Sequence, residues 1–300
     1  TLSLHDALPI YMYAGLSQRG LQALEQARAS CADSDVRCQG ATIANLGWAE
    51  NRLGDKAKAL SHFEQALPLR RQIGDHVGEA TTLNNIGAVH DDLGDKTKAL
   101  SYYEQALSLN KQVGDRSGEA TTLNNIGGLC DALGDKAKAM SYYEQALSLR
   151  KQAGDRSGEA TTLNNIGALY DALGDKQKAL SSYEQALPLW KQVGNRSGEA
   201  ITLNSIGHVY DDLGDKSKAL SYYEQELSLR KQMGDLSGEA ATTLNNIGRV
   251  YDELGDKSKA LSYYEQALSL RKQVGDRSGE ATTLNNIERL YNTLETSPRR

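Results

Sequence analysis

The chain has 300 residues, a net charge of −5 and a pI near 5.6. Lys and Arg number 34 against 39 Asp and Glu, so there is no basic excess to neutralise phosphates, and nucleic acid is not expected as a partner. No apolar run reaches the roughly 18 residues of a membrane span. Aromatic content is low and almost entirely Tyr, so the interior must be built from Ala, Leu, Ile, Val and Tyr, which suits thin helix-on-helix layers.

Residues 1–10, TLSLHDALPI, do not follow the pattern of the rest of the chain. The string matches the translation of a widely used short-read sequencing adapter. We read it as a non-native segment, exclude it from fold reasoning, and expect the natural protein to extend upstream. Residues 11–38 read as a degenerate partial repeat. Glu25-Gln26-Ala27 aligns in phase with Glu104-Gln105-Ala106, which makes this stretch a worn second helix preceded by the end of a first. Cys31 and Cys38 close the stretch. They either pair in an oxidising compartment or stay as two free thiols in the cytoplasm, and the second reading is favoured here.

From residue 39 a forty-residue period takes over. ATIANLG stands at 41–47, TTLNNIG at 81–87, 121–127, 161–167 and 242–248, ITLNSIG at 201–207, and TTLNNI at 282–287. Between the copies runs LGDK-x-KALSYYEQAL, nearly unchanged. A period of this length means stacked units of one supersecondary type. In the unit 120–155, Leu123, Ile126, Leu129, Cys130 and Leu133 fall on one face of a helix. Gly134 ends that helix and Asp135 caps the next. The second helix carries Ala139, Met140, Tyr143, Ala146, Leu147 and Leu149 and closes at Gly154-Asp155. Each unit is therefore an αα-hairpin. Gly127 sits in mid-helix at a cost of about 1 kcal/mol. It recurs as Gly47, Gly87, Gly167, Gly207 and Gly248, which predicts close helix approach with the Ala139 and Ala146 columns facing it. Residues 39–294 then make six full repeats plus a final first helix. Glu288 takes the Gly position there, and 295–300 form a polar tail.

Gly127, Ala139, Tyr143 and Ala146, with Leu123, Ile126 and Leu133, resemble the signature of the tetratricopeptide repeat, in its longer variety. Kinesin light chains, the Leu-Gly-Asn polarity adaptors and bacterial arrays adjoining CHAT-type proteases or NTPase modules are similar. The resemblance implies an all-α fold, a right-handed α-solenoid of antiparallel helix pairs (a TPR superhelix). Two departures stand out. Pro68 and Pro188 fall inside second helices and should bend or end them. An extra Ala in GEAATT at 238–243 should be absorbed in the preceding loop or the first turn, because a mid-helix insertion would rotate every later side chain by about 100°.

The family lines its concave groove with first helices, and two asparagine rows fall there. One is Asn84, Asn124, Asn164, Asn204, Asn245 and Asn285. The other is Asn45, Asn85, Asn125, Asn165, Asn246 and Asn286, with Ser205 in the gap. Asn offers both a donor and an acceptor, so such rows either grip the backbone of an extended peptide, as the resemblance implies, or bond neighbouring helices and hold the stack in register. Specificity is expected from the columns that vary. Trp48, Ala88, Gly128, Ala168, His208, Arg249 and Arg289 make one; Arg52, Asp92, Ala132, Ala172, Asp212 and Glu253 make the other. Trp48 is a candidate anchor, or else packs on upstream helices. The Asp91, Asp131, Asp171, Asp211 and Asp252 column reads as a solvated face, not a metal site. The scattered His residues have no nucleophile beside them. The expectation is a cytoplasmic, non-catalytic scaffold without cofactor or metal, binding a protein or peptide and not a membrane. The alternative is the sensor region of a larger bacterial signalling enzyme, a CHAT-type protease or an NTPase.

Overall fold

A computed structural model of the chain describes residues 18–32, 34–234 and 238–296. Residues 1–10, with their adapter reading, lie outside the described residues, as do residues 11–17, Asp33, the loop 235–237 and 297–300 of the tail. Among the described residues there are fourteen helices and no strand. They are α1 Gln18–Ser30, α2 Val36–Leu53, α3 Lys56–Gln72, α4 His76–Asp92, α5 Lys96–Val113, α6 Arg116–Ala132 and α7 Lys136–Ala153. The series continues with α8 Arg156–Ala172, α9 Lys176–Val193, α10 Arg196–Asp212, α11 Lys216–Met233, α12 Gly238–Glu253, α13 Lys257–Val274 and α14 Arg277–Thr296. Two compact units divide the chain at Gly154/Asp155, the first holding α1–α7 and the second α8–α14. Each is an all-α stack of antiparallel hairpins. Even-numbered helices are the first of a pair, and α2 touches α4, α4 touches α6, α8 touches α10 and α12 touches α14, while side-chain bonds join α10 to α12.

Local chemistry sets the hairpins. From α2 onward each turn carries a Gly at positive φ, for example Gly134 at 84° and Gly154 at 70°, a region only Gly enters without strain. The residue after it caps the next helix: Asp135 Oδ1 accepts from the Lys138 N–H at 3.1 Å, and Asn195 Oδ1 from that of Gly198 at 2.9 Å. Such a cap contributes about 1 kcal/mol. Leu123, Ile126 and Leu129 are fully buried, as the periodicity predicts. Leu133 is not. It lies in the C-cap position of α6 and is 58% exposed, because the chain has already turned toward α7.

The Gly127 column makes the predicted close approach, to the alanine column, where a Cβ on Gly87 or Gly248 would lie 3.2 Å from the carbonyl of Ala99 or Ala260, and more closely still to an aromatic ring. A Cβ on Gly127 would lie 2.7 Å from Tyr143 Cε1, and Gly87, Gly167, Gly207 and Gly248 meet Tyr103, Tyr183, Tyr223 and Tyr264 in the same way. The flat ring slides over the bare glycine. The Ala139 and Ala146 columns are fully buried beside it. Burial pushes the phenols up, with Tyr143 and Tyr183 at about 12.

Neither proline ends its helix: α3 continues through Pro68 to Gln72, and α9 through Pro188 to Val193. The extra Ala is taken up before the body of α12. Thr243 and Thr202 hold equivalent places, each fully buried and each donating four residues back. Thr202 reaches the carbonyl of Gly198, whereas Thr243 reaches that of Glu239. The insertion thus displaces Gly238 and puts a glutamate where other repeats have Gly. Cys31 and Cys38 form a disulfide, with Cα atoms 5.8 Å apart, which corrects the expectation of two free thiols. The turn between α1 and α2 brings them together.

Candidate functional site

The even helices carry the residues singled out in the sequence, most of them part-buried. In the first asparagine row, Asn84 and Asn245 are buried and Asn124, Asn164 and Asn204 part-buried. The row bonds across to the next first helix. Asn84 Oδ1 accepts from Asn125 Nδ2 at 3.1 Å, and Asn245 Oδ1 from Asn286 Nδ2 at 3.0 Å. Asn164 Nδ2 donates to Thr202 Oγ1 at 2.8 Å, and Asn204 Nδ2 to Thr243 Oγ1 at 3.0 Å. These bonds pin the register of successive hairpins. Asn124 and Asn165 are engaged as well. In the second row Asn85, Asn165 and Asn246 are part-buried. Among the described residues no side-chain hydrogen bond engages Asn85 or Asn246.

The variable columns are drawn into the protein's own contacts. Trp48 is part-buried against Phe63, Ile86 and Val89, with the Arg52 guanidinium 5.4 Å from its ring centroid. Arg249 donates through Nη2 to Asp211 and through Nη1 to Glu253 Oε1 at 2.8 Å. His208 Nδ1 is 3.7 Å from Asp171 Oδ2 and 3.8 Å from Asp212 Oδ2.

The Asp91 column is not a solvated face. In each hairpin the first lysine of the second helix folds back onto it: Lys96 onto Asp91, Lys136 onto Asp131 and Lys257 onto Asp252. Lys176 reaches Asp171 at 2.6 Å and, in the following repeat, Asp212 at 2.5 Å. Lys216 does the same with Asp211 and Glu253. Burial works against charge on Asp212, yet the Lys176 hydrogen bond and His208 hold its carboxyl below the usual range. Asp171, His208 and Asp212 bring three possible ligand atoms within 4.8 Å of one another, a clustering that the one-per-repeat spacing does not reveal. The Lys176 ammonium already bonds both carboxylates, so a cation stands there without a metal. The lysine column is the functional-face feature that sequence reasoning missed. Its signal was the fixed five-residue step from Asp91 to Lys96, repeated in every later hairpin, with Asn51 in place of the Asp before Lys56.

The geometry defines a repeat solenoid whose even helices present a polar, asparagine-rich face. The tetratricopeptide repeat family matches residues 41–112, 78–152, 118–192, 158–232, 227–273 and 239–295, and the chain belongs to that family. Among solved structures it is similar to BtubC (BKLC) from P. vanneervenii, at 25% identity and a TM-score of 0.61 over 74% of this chain and 93% of that one. A Rap protein complexed with competence and sporulation factor is similar at 14% identity and a TM-score of 0.67, over 93% of this chain and 81% of that one. The apo form of RapI is similar at 15% identity and a TM-score of 0.64, over 90% and 96%. The two Rap structures share the fold alone. No curated protein matches the chain.

Proposed function

We propose that the chain is a protein-interaction scaffold that holds an extended peptide or partner segment along its even helices. One observation carries the reading. The first asparagine row is spent on register, while Asn85 and Asn246 of the second row stand part-buried with their amides unengaged. A short amide with one donor side and one acceptor side suits a peptide backbone. A Rap protein of the same fold was solved with competence and sporulation factor bound. His208 and Arg249 would tune recognition from the edge of that row, and Trp48 would contribute its exposed edge. No catalytic role is assigned.

Among the described residues no helix is long and apolar enough to cross a membrane. The proposal keeps the protein in the cytoplasm. The Cys31–Cys38 bond, which would be reduced there, closes only the α1–α2 turn. Panning a displayed library of random peptides against the chain tests the reading. Binders should weaken about fivefold or more in Asn85→Ala or Asn246→Ala, since each lost hydrogen bond is worth about 1 kcal/mol. Recovery of no binder, or an affinity untouched by both variants, refutes it.

A further inference from the structure

Near the end of each second helix from α3 onward runs the column Arg70, Asn110, Arg150, Trp190, Arg230 and Arg271. Five residues further on stands the cap of the next helix, among them Asp75, Asp115, Asn195 and Asp276. Where the column is Arg, its guanidinium lies on a glycine of that helix and turns to the cap. Arg70 Nη1 sits 1.6 Å from a Cβ placed on Gly78 and donates to Asp75 Oδ2 at 2.9 Å. Arg271 Nη1 holds the same place over Gly279, 4.0 Å from Asp276 Oδ2. Where the column is Trp190 the cap is Asn195, so the cation and the carboxylate are lost together. The turn from Asn110 to Asp115 loses the cation and keeps the carboxylate.

The side chains around that turn converge on one point. Asn110 is 2% exposed. The Thr122 hydroxyl donates to the Gly118 carbonyl at 2.9 Å, so its oxygen accepts from Asn110 Nδ2 at 3.2 Å. This fixes the amide and turns Oδ1 toward the cap. Asn110 Oδ1 and Asp115 Oδ2 lie 2.7 and 2.5 Å from a Cβ placed on Gly118. Two acceptors thus meet where Arg70 and Arg271 put a donor. Among the described residues neither oxygen accepts a hydrogen bond. The Asn110 side chain bonds Thr122 alone, and that of Asp115 takes only the Gly118 N–H, on Oδ1, at 3.0 Å. Both residues line a cavity of about 240 Å³ between α4, α5 and α6, and Asn110 Oδ1 is not sealed from it. Exposed Thr81 and Thr121 flank its mouth.

We infer that this cavity is the socket for an arginine side chain of a polypeptide bound along the even helices, whose guanidinium takes the place that Arg70 and Arg271 fill from within. The inference deepens the scaffold reading and rests on it. Thr81 lies one turn before Asn85 on α4, so a chain held by the Asn85 amide passes the mouth. The guanidinium donates to Asp115 Oδ2 and Asn110 Oδ1 through separate N–H groups of its planar fork. The volume is several times the roughly 30 Å³ share of a water molecule, enough for a guanidinium on its alkyl stem.

The test is isothermal titration calorimetry of the full chain with acetyl-Ala-Ala-Arg-Ala-Ala-amide and its citrulline counterpart, which replaces the guanidinium by a neutral urea of the same shape. The arginine peptide should bind about tenfold or more tighter, the worth of one charge-assisted hydrogen bond. Asn110→Arg fills the socket from within and Asp115→Asn removes its charge, and each should erase the preference. Arg70 and Asn195 already stand in these columns, so both variants should keep the parent's circular dichroism. Glu104→Gln, which removes an exposed acid on α5, should leave the preference intact. The inference is overturned if the arginine peptide does not bind, if citrulline binds equally, if a folded socket variant keeps the preference, or if Glu104→Gln abolishes it. The scaffold reading fails separately, when random peptides yield no binder at all.

Discussion

Two adjacent glycines in α6 give the packing account opposite signs to predict. Gly127 and Gly128 both sit in mid-helix, where replacing Gly by Ala gains about 1 kcal/mol of helix propensity. A Cβ on Gly128 meets only Tyr143 Oη, at 3.6 Å, which is ordinary contact. Gly128→Ala should therefore stabilise the protein by about 1 kcal/mol. A Cβ on Gly127 would lie 2.7 and 2.8 Å from Tyr143 Cε1 and Cδ1, closer than carbon atoms approach. The ring is 4% exposed and has little room to retreat, so overpacking at the upper end, about 3 kcal/mol, applies. Gly127→Ala should then destabilise by about 2 kcal/mol net, and the two variants should differ by about 3 kcal/mol. Denaturant midpoints followed by far-ultraviolet circular dichroism rank them without assuming all-or-none unfolding of the whole array. If Gly127→Ala stabilises as much as Gly128→Ala, the ring-on-glycine contact does not set the hairpin spacing.

Asn164→Ala should lower the denaturant midpoint, by the equivalent of about 1 kcal/mol, because it strips Thr202 of an interhelix bond. Thr202→Val in that background should add little if the bond is shared between them. Asp211 is almost wholly buried and joins Lys216 to Arg249, so Asp211→Asn should cost about 3 kcal/mol. Asp131→Asn, whose partly exposed carboxylate bonds Lys136 alone, should cost no more than about 1 kcal/mol in the same melt. Acid titration should separate two kinds of carboxyl. Burial opposes charge on Asp212 and Glu253, but Lys176 and Lys216 bring both below their ordinary values. Their contribution is therefore present above the unfolded pKa and lost as pH falls from about 5 through the folded values. Glu226 runs the other way. Its raised carboxyl stabilises the protonated form, so its contribution is present at low pH and lost as pH rises through the folded value. Melting temperature against pH should fall more gently in acid for Lys176→Met than for the parent. An unchanged profile would deny the Lys176–Asp212 bridge any energetic weight.

Most of the hairpin architecture was legible because it is local. Leu123, Ile126 and Leu129 announce a helix face by spacing, and Gly134-Asp135 announces a turn and a cap by chemistry that needs no distant partner. What a single repeat does not contain was harder to read. Leu133 keeps helical spacing but falls past the last turn, so periodicity alone places it in the core. Alanine columns look like the natural neighbours of Gly127, whereas the flat tyrosine ring fits the bare helix more closely. Lys176 couples to Asp212 across thirty-six residues, a step close to the period itself and therefore hidden inside the repeat. The disulfide depended on how the α1–α2 turn closes. The asparagine rows were found by position, yet which side chains hold the stack follows only from bonds such as Asn125 to Asn84 and Asn164 to Thr202. Glu239 in the glycine column is a consequence of register, visible once the Thr243 bond fixes the alignment.

The central claim is that a polypeptide lies extended along the even helices and is held by the second asparagine row. A crystal structure of the chain with a peptide recovered by panning tests it most directly. The account predicts peptide backbone N–H and C=O groups within hydrogen-bonding distance of the Asn85 amide in the first unit or of the Asn246 amide in the second. A peptide seated on the odd-numbered helices, or one that makes no bond to that row, would contradict it.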